Sequence, residues 1–302
     1  MSGSMIIDGK KVYFDNQKNI LSLIRDNNID LPTFCYHSEL SIYGACRMCS
    51  VETSDGKIIA SCSEVPCNGM EIYTNSPRIR KYRKMILELL LSNHERDCTA
   101  CERTGKCQLQ SLARRYGINK MRFNQLIEEQ EVDYSSPSII RNPNKCIKCG
   151  RCVEMCREVQ GINIIEKIGR SSELEIITAY GKFLSDVSCV SCGQCSTVCP
   201  VAAIYEKEDI DIVWDAINDP EKHVIVQTAP AVRVSIGEEF GMEPGSIVTG
   251  KLVAALRRLG FDKVFDTNFT ADLTIIEEGN ELLHRLKTGG VLPMLTSCSP
   301  GW

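Results

Sequence analysis

Two cysteine runs with identical spacing constrain this chain more than any other feature of its sequence. They read CIKCGRCVEMC and CVSCGQCSTVCP, and both follow C-x2-C-x2-C-x3-C. In two-cluster ferredoxin domains such a run supplies three thiolates to one [4Fe-4S] cluster and its fourth to the other. The repeat also predicts two pseudo-symmetric halves joined by residues 157–188. The predicted ligand sets are Cys146, Cys149, Cys152 with Cys199, and Cys189, Cys192, Cys195 with Cys156.

A third cysteine group lies nearer the N-terminus, with the spacing C-x10-C-x2-C-x12-C. Four thiolates on a loop beside a small sheet are what a [2Fe-2S] cluster requires, since each iron takes two sulfur ligands beyond the bridging sulfides. The alternative is a set of four buried apolar cysteines. Cys67 and His37 lie off the pattern and are predicted not to be ligands. The predicted ligands are Cys35, Cys46, Cys49 and Cys62.

A fourth group combines a histidine with three cysteines in the spacing H-x3-C-x2-C-x5-C. It consists of His94, Cys98, Cys101 and Cys107. Four nitrogen and sulfur ligands this close together fit either zinc or a [4Fe-4S] cluster, and the spacing does not separate the two. The preceding segment, residues 78–94, is predicted to be a helix. Its basic first half is either a solvated face or a docking site.

Composition limits the class of protein. Seventeen cysteines in 302 residues indicate either a disulfide framework in an exported protein or metal-binding thiolates in a reducing cytosol. The spacings favour the second, and with no secretory signal evident we expect a cytoplasmic protein. No apolar run is long enough for a membrane span, and a net charge of −4 gives no reason to expect nucleic acid. Residues 1–4 precede a second methionine and are set aside as an expression-derived extension.

Several helices and strands can be predicted from local patterns. Alternating apolar residues around Asp8-Gly9 indicate a β-hairpin, and residues 19–30 read as a helix whose apolar residues lie on a sheet. Beyond residue 206, strands and helices alternate, which indicates a parallel α/β sheet. The predicted helices cover 207–222, 248–261 and 271–290, with glycine C-caps at 260 and 289–290, and the predicted strands cover 223–230, 263–269 and 291–298.

Three segments of the C-terminal third carry a family resemblance: TAPAVRVSIGEEF, DTNFTADLTIIEE and MLTSCSPGW. Together with the order of the cysteine groups, they make the chain resemble the modular [FeFe]-hydrogenases with four accessory clusters, from Met5 to Trp302. The cysteine groups alone also resemble iron–sulfur subunits of respiratory complex I and of NAD-linked formate dehydrogenases. The segment from His223 onward favours the hydrogenases.

The resemblance implies an α+β modular iron–sulfur protein with one [2Fe-2S] and three [4Fe-4S] clusters, and it favours iron over zinc at the His94 group. The implied domains are a β-grasp [2Fe-2S] domain over 5–78, a helical [4Fe-4S] module with one histidine and three cysteine ligands over 79–118, a two-[4Fe-4S] ferredoxin domain over 138–210, and the start of an α/β hydrogenase catalytic domain over 211–302.

The resemblance also assigns residues around the family's catalytic H-cluster, a [4Fe-4S] cube bridged to a diiron unit. Cys298 matches a proton-transfer cysteine, and Ser299 falls where the family has a cysteine ligand of the cube. Glu278 and Glu281 match the proton path, and Ala229 and Pro230 match residues packed against the diiron unit. Because Cys298 is the only cysteine after residue 200, we expect an H-cluster only with further polypeptide, and no catalysis by this chain alone.

The function implied is the electron-transfer part of an oxidoreductase that catalyses 2H⁺ + 2e⁻ ⇌ H₂. Clusters in series would relay electrons between the H-cluster and ferredoxin, or a flavin- and NAD(H)-binding subunit. The alternative is a non-catalytic, hydrogenase-like iron–sulfur subunit of a larger redox complex linked to formate dehydrogenase or NADH dehydrogenase.

Overall fold

The computed structural model describes residues 2–125 and 128–296. Within these residues the chain forms two units, one of residues 2–207 and one of residues 208–296. No helix in the described part of the chain combines the length and the apolar character needed to cross a bilayer.

The first unit begins with the β-hairpin predicted from the sequence. Strands β1 (Ser2–Ile7) and β2 (Lys10–Asp15) pair antiparallel, and the turn residues Asp8 and Gly9 both have positive φ, 49° and 81°. This is the backbone that an Asp-Gly turn favours. The exclusion of residues 2–4 from the predicted fold was wrong. These residues belong to β1, where Ser2 pairs with Asp15 at the end of β2.

A five-stranded sheet is built on this hairpin. It adds β3 (Ser50–Thr53), β4 (Ile58–Ala60) and β5 (Glu71–Tyr73) in the order β2-β1-β5-β3-β4, with β1 and β5 parallel and the other pairs antiparallel. Helix α1 (Ile20–Asp26) begins at Asn19, whose side chain accepts a hydrogen bond from Ser22 N–H. The apolar residues of α1 are fully buried in the core with the sheet, as predicted. Each contributes about 1.5–3 kcal/mol by its burial.

Two helices and a second small sheet complete the first unit. Helices α2 (Pro77–Ser92) and α3 (Gln108–Arg115) flank the His94 group. Strand β6 (Ile139–Arg141) pairs antiparallel with β9 (Ile204–Glu206), before and after the cysteine runs. Each run contains a short helix, α4 (Arg151–Glu154), which continues as a π-helical turn, and α5 (Gln194–Thr197). The insert between them forms a hairpin of β7 (Ile165–Ile168) and β8 (Glu175–Thr178).

The second unit contains two parallel strands and four helices within its described residues. They are α6 (Ile210–Asn218), β10 (Ile225–Thr228), α7 (Pro230–Glu239), α8 (Thr249–Leu259), β11 (Lys263–Asp266) and α9 (Thr267–Thr288). Gly260 and Gly289 end α8 and α9 in the left-handed conformation, as predicted.

Two strand predictions in this unit were wrong. Strand β11 ends at Asp266, because the Asp266 carboxylate accepts a hydrogen bond from Phe269 N–H and so begins α9 at Thr267. Residues 291–296 form no strand. Pro293 in the middle of this segment has no N–H to donate to a neighbouring strand.

Candidate metal centres

The predicted [2Fe-2S] ligands come together beside β3 and β4. The sulfur atoms of Cys35 and Cys46 lie 3.4 Å apart, and Phe34 N–H donates to Cys46 Sγ at 3.4 Å. Cys49 and Cys62 are buried and share a hydrogen bond. The hydrogen bond that these two thiols share lowers the pKa of Cys35 far below its usual value and raises that of Cys46. Backbone and thiol donors directed at sulfur stabilise thiolates, which are the ligands that iron requires.

The His94 group joins the end of α2 to the start of α3. His94 is 5 % exposed, and its Nδ1 is buried without a hydrogen-bond partner. Burial lowers the pKa of His94 to about 4, which leaves the imidazole neutral at pH 7 and able to ligate. Cys107 is buried, Cys101 is half-buried and Cys98 is exposed. An orphaned buried ring nitrogen is costly unless a ligand satisfies it.

Two cavities lie between the cysteine runs, and each takes thiols from both. The lining of the first includes three cysteines of the first run and the last of the second: Cys146, Cys149, Cys152 and Cys199. The lining of the second has the opposite composition: Cys156, Cys189, Cys192 and Cys195. This is the exchange of the fourth thiol that crossed ligation requires.

Local backbone geometry is repeated between the two runs. Lys148 and Ser191 occupy equivalent positions, have φ of 56° and 54°, and donate their N–H groups to Cys146 Sγ and Cys189 Sγ at 3.3 and 3.4 Å. The next glycine of each run is also left-handed and immediately precedes the short helix. Consecutive amides turned inward in this way form a concave surface that favours anions.

The thiols around these cavities suit a polynuclear group. Burial raises the pKa of Cys146 to about 11 and that of Cys149 to about 12, so their thiolate forms need a compensating cation. Among the described residues, no three His, Cys, Asp or Glu side chains converge on the position of a single ion. Four thiols spread around an apolar cavity therefore fit an iron–sulfur cluster better than one metal atom.

Continuous apolar cores connect the four sites. One core contains Cys35 and Cys107 together with Cys149, so it joins the [2Fe-2S] site and the His94 site to the first cavity. A second core contains Cys152 and Cys156, which line different cavities. The first cavity therefore shares an apolar core with each of the three other sites.

The C-terminal residues that the family resemblance assigns to the H-cluster region do not form a buried cluster like those of the cysteine groups. Ala229 and Pro230 follow the carboxyl end of β10 and are exposed, and Glu278 is half-buried on α9. Glu281 is exposed and pairs with Arg285, whose guanidinium lowers the pKa of this carboxylate. Cys298 and Ser299 lie outside the described residues.

Sequence reasoning missed the burial of two cations, Arg83 and Arg151. Arg83, inside the basic half of α2, is 2 % exposed and donates to the carbonyl oxygens of Met48 and Ser50, so the description of that half as a solvated face was wrong for this residue. The signal was its spacing four residues from the buried Ile79 and Leu87. The second is Arg151, inside the first cysteine run. Cys67, predicted to be unligated, is exposed.

Four protein families match consecutive parts of the chain. They are a 2Fe-2S iron–sulfur cluster binding domain over residues 4–77, the NADH-ubiquinone oxidoreductase-G iron–sulfur binding region over 83–122, a 4Fe-4S dicluster domain over 145–203, and the iron only hydrogenase large subunit, C-terminal domain, over 222–302. The second match contains the His94 group, which agrees with iron rather than zinc there.

Relatives extend over the whole chain. The NADP-reducing hydrogenase subunit HndD of Solidesulfovibrio fructosivorans is 44 % identical over 99 % of this chain and 53 % of its own length. Iron hydrogenase 1 of Clostridium pasteurianum is 40 % identical over 99 % of this chain and 52 % of its own length. This chain thus spans about half the length of either hydrogenase relative.

Relatives outside the iron-only hydrogenases match mainly through the iron–sulfur part. The NADH-ubiquinone oxidoreductase 75 kDa subunit of Reclinomonas americana is 37 % identical over 78 % of this chain and 37 % of its own length. A solved structure of an NAD⁺-reducing [NiFe]-hydrogenase in the H₂-reduced state superposes with a TM-score of 0.64 and 28 % identity, over 68 % of this chain and 88 % of that one. With 2Fe-2S, 4Fe-4S dicluster and iron-only hydrogenase large-subunit domains in this order, the chain is a homologue of the iron-only hydrogenases over about half of their length.

Proposed function

We propose that residues 2–207 form the electron relay of an [FeFe]-hydrogenase-type oxidoreductase, which exchanges electrons between an external redox partner and an H-cluster. The observation that carries the proposal is the pair of cavities between the cysteine runs, each lined by three thiols of one run and the fourth of the other. When bound, iron–sulfur clusters accept and release single electrons. The chain's own residues supply thiolates, inward-pointing amides and a dry apolar surrounding.

We propose that the relay is branched at the first cavity. The core that contains Cys35, Cys107 and Cys149 includes ligands of two sites together with one from the first cavity, and the second core links the first cavity to the second. We therefore propose the [2Fe-2S] and His94 sites as alternative entry points. A branched entry suits a protein that exchanges electrons with more than one partner, such as ferredoxin and a flavin- and NAD(H)-binding subunit.

Hydrogenase chemistry is proposed from the C-terminal segment. The match of residues 222–302 to the iron-only hydrogenase large subunit supports it, as do two hydrogenase relatives aligned over 99 % of the chain. In this proposal Ala229 and Pro230 lie against the diiron unit. Cys298, Glu278 and Glu281 serve its proton path.

A second candidate is a non-catalytic iron–sulfur subunit of an NADH dehydrogenase-type complex. The match of residues 83–122 to the NADH-ubiquinone oxidoreductase-G region favours it. The two candidates differ in the electron partner. Rapid reduction of the clusters by reduced ferredoxin supports the hydrogenase relay, whereas reduction only through an NADH-oxidising flavoprotein supports the second candidate.

Crossed ligation provides the sharpest test of the relay. In the anaerobically reconstituted chain, Cys156→Ala should damage the cluster held by Cys189, Cys192 and Cys195. Cys199→Ala should damage the cluster held by the first run. Electron paramagnetic resonance (EPR) of the two variants, with Cys67→Ala as the control outside all sites, distinguishes these losses. Loss of the same cluster from both variants contradicts crossed ligation.

A further inference from the structure

Arg151 connects the backbone of two proposed cluster sites. It is the first residue of α4 and is 8 % exposed. Its Nη2 donates to the carbonyl oxygen of Tyr36 at 2.6 Å, and its Nη1 donates to that of Val198 at 3.5 Å. Tyr36 follows Cys35 of the [2Fe-2S] site, and Val198 precedes Cys199 of the first cavity. The guanidinium thus lies against both ligand sets.

The buried charge of Arg151 has no carboxylate partner among the described residues, and its Nε makes no hydrogen bond. Two neutral carbonyls do not offset the desolvation of a buried guanidinium, whose charge calls for a nearby anion. The groups that interact favourably with its charge are the thiols of Cys149, Cys35, Cys46 and Cys199. Both carbonyls belong to residues adjacent to predicted cysteine ligands, so Arg151 is placed to compensate the thiolates of two different sites when these hold clusters.

The other half of the pseudo-symmetric repeat shows that the fold does not require this charge. Gln194 occupies the position equivalent to Arg151, directly after the left-handed glycine and at the start of α5. Gln194 is neutral and exposed. The charge is therefore specific to the half of the repeat that borders the [2Fe-2S] site.

We propose that Arg151 is a positioning and tuning residue shared by the [2Fe-2S] site and the first-cavity [4Fe-4S] site, whose reduced states its permanent positive charge stabilises. The inference rests on the proposed function, because it requires bound clusters. On reduction each cluster gains one electron and becomes one unit more negative, while no bond changes and no proton moves. A fixed cation between the two sites favours that electron at either one.

The test compares Arg151→Gln with Arg151→Lys in the reconstituted full chain. Gln is the residue of the equivalent position and retains hydrogen-bond donors, whereas Lys retains the charge. In redox titrations followed by EPR, Arg151→Gln should lower the reduced-to-oxidised ratio of the [2Fe-2S] cluster about tenfold at a fixed potential. This corresponds to about 59 mV for a one-electron couple. The reduced-to-oxidised ratio of the first-cavity [4Fe-4S] cluster should fall as well. The ratio of the second-cavity cluster should not change, and that cluster serves as the reference.

Arg151→Lys should remain within about threefold of the parent chain, and Arg80→Met, which removes an exposed charge on α2, should not shift the ratio. A parent-like ratio in Arg151→Gln, or equal shifts in the Gln and Lys variants, overturns the inference while the clusters remain bound. Loss of a cluster from both Arg151 variants also overturns it, since the residue then only maintains the structure. Failure of the parent chain to bind clusters would instead refute the proposed function.

Discussion

The Lys167 ammonium lies 2.9 Å from a carboxylate oxygen of Glu154, and both side chains are almost completely buried. Lys167 belongs to β7 in the insert, and Glu154 belongs to α4 in the first cysteine run. The same ammonium lies 3.2 Å from the ring centroid of Tyr43, in the loop that carries Cys46. One buried cation thus joins the insert, the first cysteine run and the [2Fe-2S] loop.

Replacing Lys167 by Met should destabilise the first unit. The change leaves the buried Glu154 carboxylate with Arg157 as its remaining cation, and breaking a buried pair costs about 3 kcal/mol. For a unit of this size we expect the thermal unfolding midpoint to fall by roughly 6–12 °C. Circular dichroism melting measures it, with the exposed Lys182→Met as the control. Equal midpoints in the two variants would show that the ion pair contributes no net stability.

The two left-handed glycines of the cysteine runs should differ in their tolerance of alanine. Both Gly150 and Gly193 have positive φ, which costs an alanine about 1–2 kcal/mol. A Cβ on Gly150 would also overlap the end of the Lys167 side chain, which its ion pair with Glu154 holds in place, whereas one on Gly193 would meet nothing closer than 4.0 Å. We therefore expect Gly150→Ala to lower the unfolding midpoint more than Gly193→Ala.

A double variant identifies the cause of that difference. Shortening the side chain in Lys167→Ala removes the obstruction, so its effect and that of Gly150→Ala should not add. Additive effects, or equal costs of the two alanine substitutions, would show that the close approach of Lys167 is not responsible.

Metal analysis should find about fourteen irons per chain and no stoichiometric zinc, because one [2Fe-2S] and three [4Fe-4S] clusters are proposed. His94→Ala should remove up to about four irons and leave the remaining clusters in place. The matched control is His223→Ala, since that histidine is exposed and outside every cysteine group. About ten irons together with one zinc in the parent chain would overturn the cluster assignment at His94.

Glu281 should titrate below the usual range of a glutamate. Arg285 donates to its carboxylate at 2.7 Å and lowers its pKa. A lowered folded-state pKa means that the pair's contribution is present above the unfolded pKa and is lost as pH falls through the folded pKa. Arg285→Gln should raise the pKa of Glu281 in a carboxyl-carbon NMR titration, whereas Arg258→Gln on α8 should not. An unchanged pKa would assign the lowering to another group.

Local signals predicted much of the chain, and their failures have physical causes. The Asp8-Gly9 turn needs only its own backbone preference, and the glycine ends of α8 and α9 are equally local. The predicted strand over 263–269 failed at Asp266, where a side-chain cap competes with strand continuation. A strand was also predicted over 291–298, but residues 291–296 form none. An apolar run does not reveal whether a neighbouring strand is available to pair with it.

By itself, the sequence was enough to predict which residues hold iron, because ligand type and spacing are local properties of a loop. It also indicated the exchange of fourth thiols between the runs, from the repeat alone. Only the tertiary structure decided which sites share an apolar core, and that Arg83 and Arg151 are buried rather than solvated. Whether a charge is buried depends on contacts between segments far apart in sequence. For Arg151, Tyr36 lies 115 residues away.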